Sequence, residues 1–262
     1  MHFISPLSVI PVRSEPSDKS ELVTQLLFGE TVTLQQTQRQ WLQIKCAHDD
    51  YIGWIDQKQV LPIMPDEFTL LSQTPAVFAG SPIHKASVNG RQTYVLWGSV
   101  LPHFGKIQQQ VGGYAYAYKG KVLAPNVMQP VLPKTLLAYS RKLLNAPYLW
   151  GGRSLFGIDC SGFTQLVFKA GGYALLRDAY QQATQGSPIA NYKQLLPADL
   201  VFFHNPEGKI VHVGIYMGGS NIIHASGMVR IDRLTTAGIV NAQTGNITHN
   251  LAGIRRVAGV IV

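Results

Sequence analysis

The period of its apolar residues constrains this chain most. Up to about residue 121 they come in short runs that alternate with polar residues and are broken by turns, and only beyond Pro133 does a helical spacing set in. Alternation describes strands with one buried face, and a three-to-four spacing describes an amphipathic helix; one stretch cannot satisfy both. The change of texture therefore predicts a change of domain. Prolines mark the joins, at Pro62/Pro65 and at Pro125/Pro130/Pro133.

The first block, residues 1–63, carries runs at Val9–Arg13, Leu22–Phe28, Thr31–Leu34, Trp41–Cys46 and Tyr51–Ile55, with Gly29-Glu30 as a turn. This predicts a small barrel of short strands. Within it Leu42, Ile44 and Cys46 share one strand face, so Cys46 is expected in a core. Residues 64–127 repeat the pattern more loosely, through Thr93–Gly98 and the alternation Tyr114–Tyr118, and are read as a second, diverged copy. Residues 128–262 form the third block. Its first element is expected as a helix from Lys134 to Asn145, stopped before Pro147.

With 46% hydrophobic and 14% charged residues, disorder is excluded. The net charge of +8 comes from scattered Lys and Arg with no basic run interleaved with aromatics, so no nucleic-acid partner is expected. Two cysteines, Cys46 and Cys160, make no disulfide framework and suit a reducing compartment. No apolar run reaches the roughly 18 residues a membrane span needs, and no leader pattern opens the chain. The expectation is a cytoplasmic protein without a membrane partner, or a periplasmic one if a leader has been removed.

The chemistry concentrates between Tyr148 and His224. Phe163, Leu166, Val167 and Ala170 recur at helical spacing and Gly171-Gly172 gives a stop, which puts Cys160 at a helix N-terminus. There the helix dipole lowers a thiol's pKa, and backbone N–H groups can hold an oxyanion. In the strand Val211–Tyr216, His212 shares a face with Gly214 and Tyr216. After the turn Gly218-Gly219-Ser220, the run Asn221–Ser226 returns antiparallel and sets His224 beside His212. A cysteine with two such histidines fits a nucleophile, a base and an orienting group. A zinc site is the competing use of one Cys and two His, without the close C-x-x-C or H-x-x-x-H pair such sites carry. His2, His48, His84, His103, His204 and His249 have no comparable context and are read as surface or structural.

The motifs Tyr148-Leu149-Trp150-Gly151-Gly152, Asp159-Cys160-Ser161-Gly162, Asp199–Phe203, His212–Tyr216 and Ile223-His224-Ala225 resemble the NlpC-type cell-wall cysteine peptidases. Val12-Arg13-Ser14, Gly29-Glu30, Trp41-Leu42 and Gly53-Trp54-Ile55 resemble bacterial SH3-like barrels. Two such barrels before the catalytic domain are similar to the γ-D-glutamyl-diamino-acid endopeptidases of peptidoglycan recycling.

The resemblance implies a multi-domain fold: two small all-β SH3-like barrels and an α+β papain-like catalytic domain. It implies a cysteine peptidase without a cofactor, with Cys160 as nucleophile, His212 as base and His224 as orienter. Its substrate would be a muropeptide, L-Ala-γ-D-Glu-diamino acid, cut at the γ-D-Glu–meso-diaminopimelate bond and recognised by its free L-Ala amine. Asp159, Ser161, Tyr148 and Trp150 match the pocket positions, Tyr51 and Glu15 are the barrel's contribution, and Arg177 and Asp178 supply further contacts. Ala179 stands where some relatives carry a serine, a departure that bears on D-Glu recognition. Asp159, just before Cys160, is equally placed to cap the helix. Two other functions fit: a catalytically silent module binding cell-wall peptides, and an acyl or amide transferase on a non-wall substrate.

Overall fold

The computed structural model describes residues 1–125 and 131–257; the join at Pro130 and the expected boundary at 127/128 lie outside the described residues. The chain forms two compact units. The first is Met1–Val127 with the later segment Trp150–Leu155, the second Met128–Leu149 with Phe156–Val262.

In the first unit, β1 (His2–Ile4), β2 (Val9–Arg13), β3 (Leu22–Leu27), β4 (Thr31–Gln38), β5 (Trp41–Cys46), β6 (Ile52–Asp56) and β7 (Leu61–Ile63) make one antiparallel sheet, ordered β3-β2-β6-β5-β4-β1-β7. Its core holds Ile10, Val12, Leu26, Val32, Leu42, Ile44, Ile55 and, as its strand parity requires, Cys46. Helix α1 (Pro65–Gln73) is an addition to the expected all-β organisation; it opens on Pro65, whose missing N–H costs nothing in a first turn. Then follow β8 (Phe78–Ala79), β9 (Ile83–Val88), β10 (Arg91–Leu96), β11 (Gln110–Val111), β12 (Tyr114–Ala117) and β13 (Val122–Leu123). They form a four-stranded sheet, β10-β9-β12-β11, and a two-stranded ladder, β13-β8. This second region shares its core with the first: Ile4, Phe28 and Ile63 pack with Ala79, Ala86, Val88, Val95 and Tyr116. The two blocks thus make one compact unit.

The backbones of the two regions meet at Gly29. Val100 N–H donates to the Phe28 carbonyl at 2.9 Å, and a Cβ on Gly29, whose φ is +76°, would lie 2.2 Å from the Val100 oxygen. Only glycine fits both the angle and the space.

The second unit begins with α2 (Pro133–Arg141). It ends earlier than its apolar spacing suggests: residues 142–145 are turn, and Asn145 takes φ +67°. The chain tightens into i to i+3 turns after Arg141, the left-handed backbone at Asn145 ends them ahead of Pro147, and the Asn145 N–H donates to the Val229 carbonyl at 2.9 Å. Strand β14 (Arg153–Ser154) belongs to the first unit; in the second, β15 (Gly157–Ile158) precedes α3 (Cys160–Ala170) and α4 (Ala179–Gln182). The sheet comprises β16 (Ser187–Pro188), β17 (Leu200–His204), β18 (Ile210–Gly218), β19 (Asn221–Ser226), β20 (Met228–Leu234), β21 (Gly238–Val240) and β22 (Ile247–Arg256), ordered β16-β22-β17-β18-β19-β20-β21. An additional β21–β22 pairing closes it on itself. Helix α3 packs on β18 and β19, with α2 against it, so the α+β expectation holds for this unit.

Replacing Gly29 by alanine is expected to destabilise the first unit by more than about 2 kcal/mol, because strain and a backbone clash coincide. Gly90, also at positive φ but with nothing within 4 Å of the position a Cβ would take, serves as the control and should lose only about 1 kcal/mol as alanine. Denaturant unfolding of the two variants decides it; equal losses would show that the contact with Val100 carries no weight.

Candidate active site

Cys160 is the first residue of α3, and its helix is built to be rigid. Asp159 occupies the N-cap position in extended conformation and its carboxylate accepts from the Gly162 N–H at 2.6 Å. Every residue from Cys160 to Ala170 is buried, with Phe163, Leu166 and Val167 fully so. The Cys160 sulfur lies 4.0 Å from the Val211 carbonyl and also meets the Val213 N–H, so it rests against β18 on both sides of His212. A β-bulge explains this approach. Phe203 pairs with His212 but His204 pairs with Ile210, which leaves Val211 unpaired and exposed beside the histidine. Val211 therefore departs from the simple alternation read in the sequence.

The two histidines lie as the hairpin predicts. Gly214 pairs with His224 across β18 and β19, and a Cβ on Gly214 would press on Ile222 and on the His224 Cβ, so glycine leaves the second imidazole its place. His212 Nε2 and His224 Nδ1 are 2.8 Å apart with the rings at 88°. Both residues are buried.

Two residues unmarked by the sequence complete this cluster. Asp232 of β20 receives His224 Nε2 at 3.0 Å on Oδ2; its Oδ1 accepts from Arg230 Nη2 at 3.0 Å and from the Ala242 N–H at 2.8 Å. His249 of β22, expected as a surface or structural residue, stacks on His212 with ring centroids 4.1 Å apart. Paired residues of an antiparallel ladder share a face. By that parity His212, His224, Asp232 and His249 stand on the sheet face that also carries Phe203, Ile222, Leu234 and Ile239. A signal for Asp232 was present: it alternates with Leu234 on a strand, and a carboxylate on a buried face demands partners.

Burial governs the electrostatics. The helix N-terminus alone would lower the thiol's pKa, but desolvation, reinforced by the charge of Asp159, pushes Cys160 up to about 12 against the pull of the Val213 N–H and Arg177. This reverses the direction expected from the helix terminus. Desolvation holds His212 well below its ordinary 6.5, with His224 and His249 adding to the effect. His249 is held down to about 4, chiefly by burial. For Asp232 burial acts upward, yet the hydrogen bonds from His224, Ala242 and Arg230 outweigh it and bring the carboxyl to about 2. The resting state is a neutral thiol, a neutral His212 and an ionised Asp232.

Asp159, Ser161 and Arg177 form one buried group: Arg177 clamps the Asp159 carboxylate at 3.0 and 2.6 Å and donates to Ser161 Oγ at 2.9 Å. The cap and the ion pair are thus one carboxylate's work. Tyr148, half-exposed, has its phenol pushed up to about 12 by burial and by the nearby Cys160 and Asp159. Asp178 precedes α4, where its N–H donates to Gln181 Oε1 at 2.9 Å. Trp150, Tyr51 and Glu15 belong to the first unit. There the Trp150 indole N–H donates to Glu21 at 2.5 Å, Tyr51 packs at the edge of the barrel core, and Glu15 is in an exposed turn closed by Ser20. Among the described residues no group of three or more His, Cys, Asp or Glu side chains is placed to hold a metal ion.

These shifts predict an acid sensitivity. A histidine whose folded pKa is lowered favours the unfolded chain below 6.5, where that chain takes up the proton first. His212 should therefore lower stability as pH falls below 6.5, with a further loss from His249 until it protonates near 4. Asp232 contributes no slope there, since its stabilisation is lost only as pH falls below about 4 toward 2. Denaturant unfolding at pH 7, 6 and 5 measures the slope, and His249→Phe should reduce it; a flat profile would mean that these imidazoles charge freely in the folded protein.

Residues 145–248 match the NlpC/P60 family, and residues 12–60 match the bacterial dipeptidyl-peptidase Sh3 domain. A gamma-D-glutamyl-L-lysine dipeptidyl-peptidase of Bacillus subtilis (strain 168) is 32% identical over 219 residues, covering 77% of this chain and 71% of the relative. A protein of the same name from Bacillus cereus is 27% identical over 263 residues, covering 87% of this chain and 75% of its own. The crystal structure of an NlpC/P60 family protein from Bacillus cereus ATCC 10987 has the same fold, with a TM-score of 0.82 over 98% of this chain and 99% of that one at 22% identity. Likeness of this extent to a curated relative reaches well beyond the catalytic motifs, and on it the chain belongs to the NlpC/P60 peptidoglycan hydrolases, with a bacterial SH3 domain ahead of the peptidase domain.

Proposed function

We propose that this peptidase hydrolyses the γ-D-Glu–meso-diaminopimelate bond of muropeptides with a free N-terminal L-Ala, as a step of peptidoglycan recycling in the cytoplasm. Cys160 is the nucleophile, His212 the general base and then acid, and His224 the orienter. The observation that carries this reading is the Cys160 sulfur resting against the β18 backbone on both sides of His212, which is itself hydrogen-bonded to His224.

Because the thiol is pushed up to about 12, the attacking thiolate does not stand ready. Its proton passes to neutral His212 as sulfur bonds to the D-Glu γ-carbonyl carbon. The C–N bond then breaks, the diamino acid leaves with the proton from His212, and a thioester remains. Water attacks the thioester with His212 again as base, releasing L-Ala-γ-D-Glu and the thiol. In the first turn of α3 the N–H groups of Gly162 and Phe163 are occupied by Asp159 and that of Ser161 faces the Cys160 sulfur, so the oxyanion donor from this helix is the Cys160 N–H.

The substrate assignment rests on the family resemblance and on the Bacillus relatives, whose names specify γ-D-glutamyl-L-lysine. The lysine tripeptide is therefore the natural comparison for the diaminopimelate one. In this reading the L-Ala amine is held by Asp159 with Tyr148 and Ser161, and shares the carboxylate with Arg177. Roles for Trp150, Tyr51, Glu15 and Asp178, and the second SH3-like copy at residues 64–127, rest on the resemblance alone.

Product analysis with L-Ala-γ-D-Glu-meso-diaminopimelate should show L-Ala-γ-D-Glu and free diamino acid, and Cys160→Ala should abolish them while leaving the unfolding free energy within about 1 kcal/mol of wild type. Substantial turnover by the alanine variant would end the cysteine-peptidase assignment. N-acetylating the L-Ala should lower kcat/KM by about 30-fold or more, the loss expected for one charged contact in a desolvated pocket. Equal values for the free and acetylated peptides would remove the free-amine requirement, and with it the recycling role.

A further inference from the structure

We infer that Asp232 is a positioning residue that sets the proton arrangement of both imidazoles and so makes His212 a base. This rests on the proposed roles of Cys160 and His212 and extends the hydrogen-bonded chain by one member. A carboxylate can only accept, so the His224 nitrogen facing it at 3.0 Å, Nε2, must carry the proton. With that single ring proton on Nε2, the other nitrogen, Nδ1, is the acceptor. It lies 2.8 Å from His212 Nε2, which must in turn be the donor. Only Nδ1 of His212 is left with a lone pair, and it is the atom available to take the Cys160 proton.

The carboxylate can impose this order because it is itself fixed. Its Oδ1 is held by the Ala242 N–H and by Arg230 Nη2, neither of which can become an acceptor, and Arg230 Nε lies 2.8 Å from Oδ2. The side chain is 2% exposed, with its charge maintained down to about pH 2. Asparagine would reverse the order. Its carbonyl oxygen would take the place of Oδ1, where two donors wait, and its NH2 would point at His224. His224 would then accept on Nε2 and carry its proton on Nδ1, and His212 would be left protonated on Nδ1, the nitrogen needed as base.

The first test needs no variant and no substrate. In wild-type protein labelled with 15N-histidine, long-range 1H–15N correlations at pH 7.5 should show both His212 and His224 protonated on Nε2. A proton on Nδ1 of either ring overturns the inference, whatever the substrate proves to be. In Asp232→Asn the same spectra should show both rings protonated on Nδ1, and kcat on the diaminopimelate tripeptide should fall by about 10²- to 10⁴-fold with KM within about threefold, the pattern of a base held in the wrong tautomer. Alkylation of Cys160 by iodoacetamide at the same pH should slow in step. A folded Asp232→Asn protein with wild-type kcat and alkylation rate overturns the inference, as does a loss of kcat with unchanged tautomers; if the variant does not fold, the wild-type spectra decide. Failure of wild type to cut the tripeptide would sink the proposed substrate and leave the tautomer result standing.

Discussion

A carboxylate on the inward face of a sheet cannot stay there without donors, and the catalytic unit is arranged around satisfying Asp232. Three donors converge on it from β19, from its own strand and from the loop after β21. The histidines are consequences of the same requirement. Each buried imidazole has two nitrogens to satisfy, and His224 does so by bridging Asp232 to His212. Burial that would be costly for any one of these groups is tolerable for the set. It also sets the charge of the group: burial keeps the Cys160 thiol and the His212 imidazole neutral at rest.

Much of this was legible in the chain. Helical spacing after Cys160 placed it at the start of α3, and the hairpin around Gly218-Gly219-Ser220 set His224 beside His212. Parity on β5 placed Cys46 in the barrel core. What escaped depended on long-range pairing. Asp232 meets His224 because β20 pairs with β19, but His249 reaches His212 only because β22 runs beside β17, some fifty residues away in sequence, and periodicity within a strand says nothing about such neighbours. The bulge at Val211 is likewise invisible to a strict two-residue alternation. The thiol's pKa departs from the expectation for a different reason: a helix terminus is readable from sequence, whereas the extent of desolvation belongs to the packed structure.

The first unit shows the same division. Short alternating runs and turn residues announced its strands, while the merging of two expected modules into one compact unit came from residues of no special type. Ile4, Phe28 and Ile63 lie within the first block, yet they pack with Ala86, Val88 and Tyr116 of the second. Gly29, which marks a turn in the sequence, earns its place through the backbone of Val100 passing over it.

The segment Trp150–Leu155 lies in the sequence among the residues of the peptidase family, but in space it belongs to the first unit. There Arg153 is 2% exposed, paired through Nη1 and Nη2 with Glu30 at 3.0 and 3.1 Å, and donates to the Gln25 carbonyl at 2.6 Å. The chain therefore passes between the units three times rather than once, and no single cut separates them. A fragment begun after residue 127 would carry an arginine deprived of its counter-charge, and a fragment ended there would keep a buried glutamate in the same condition; stranding one partner of such a pair typically costs about 3–5 kcal/mol. In evolutionary terms the two parts are not freely exchangeable cassettes: a recombination that swaps one must carry six residues of the other's sequence along with it, or find new partners for Glu30.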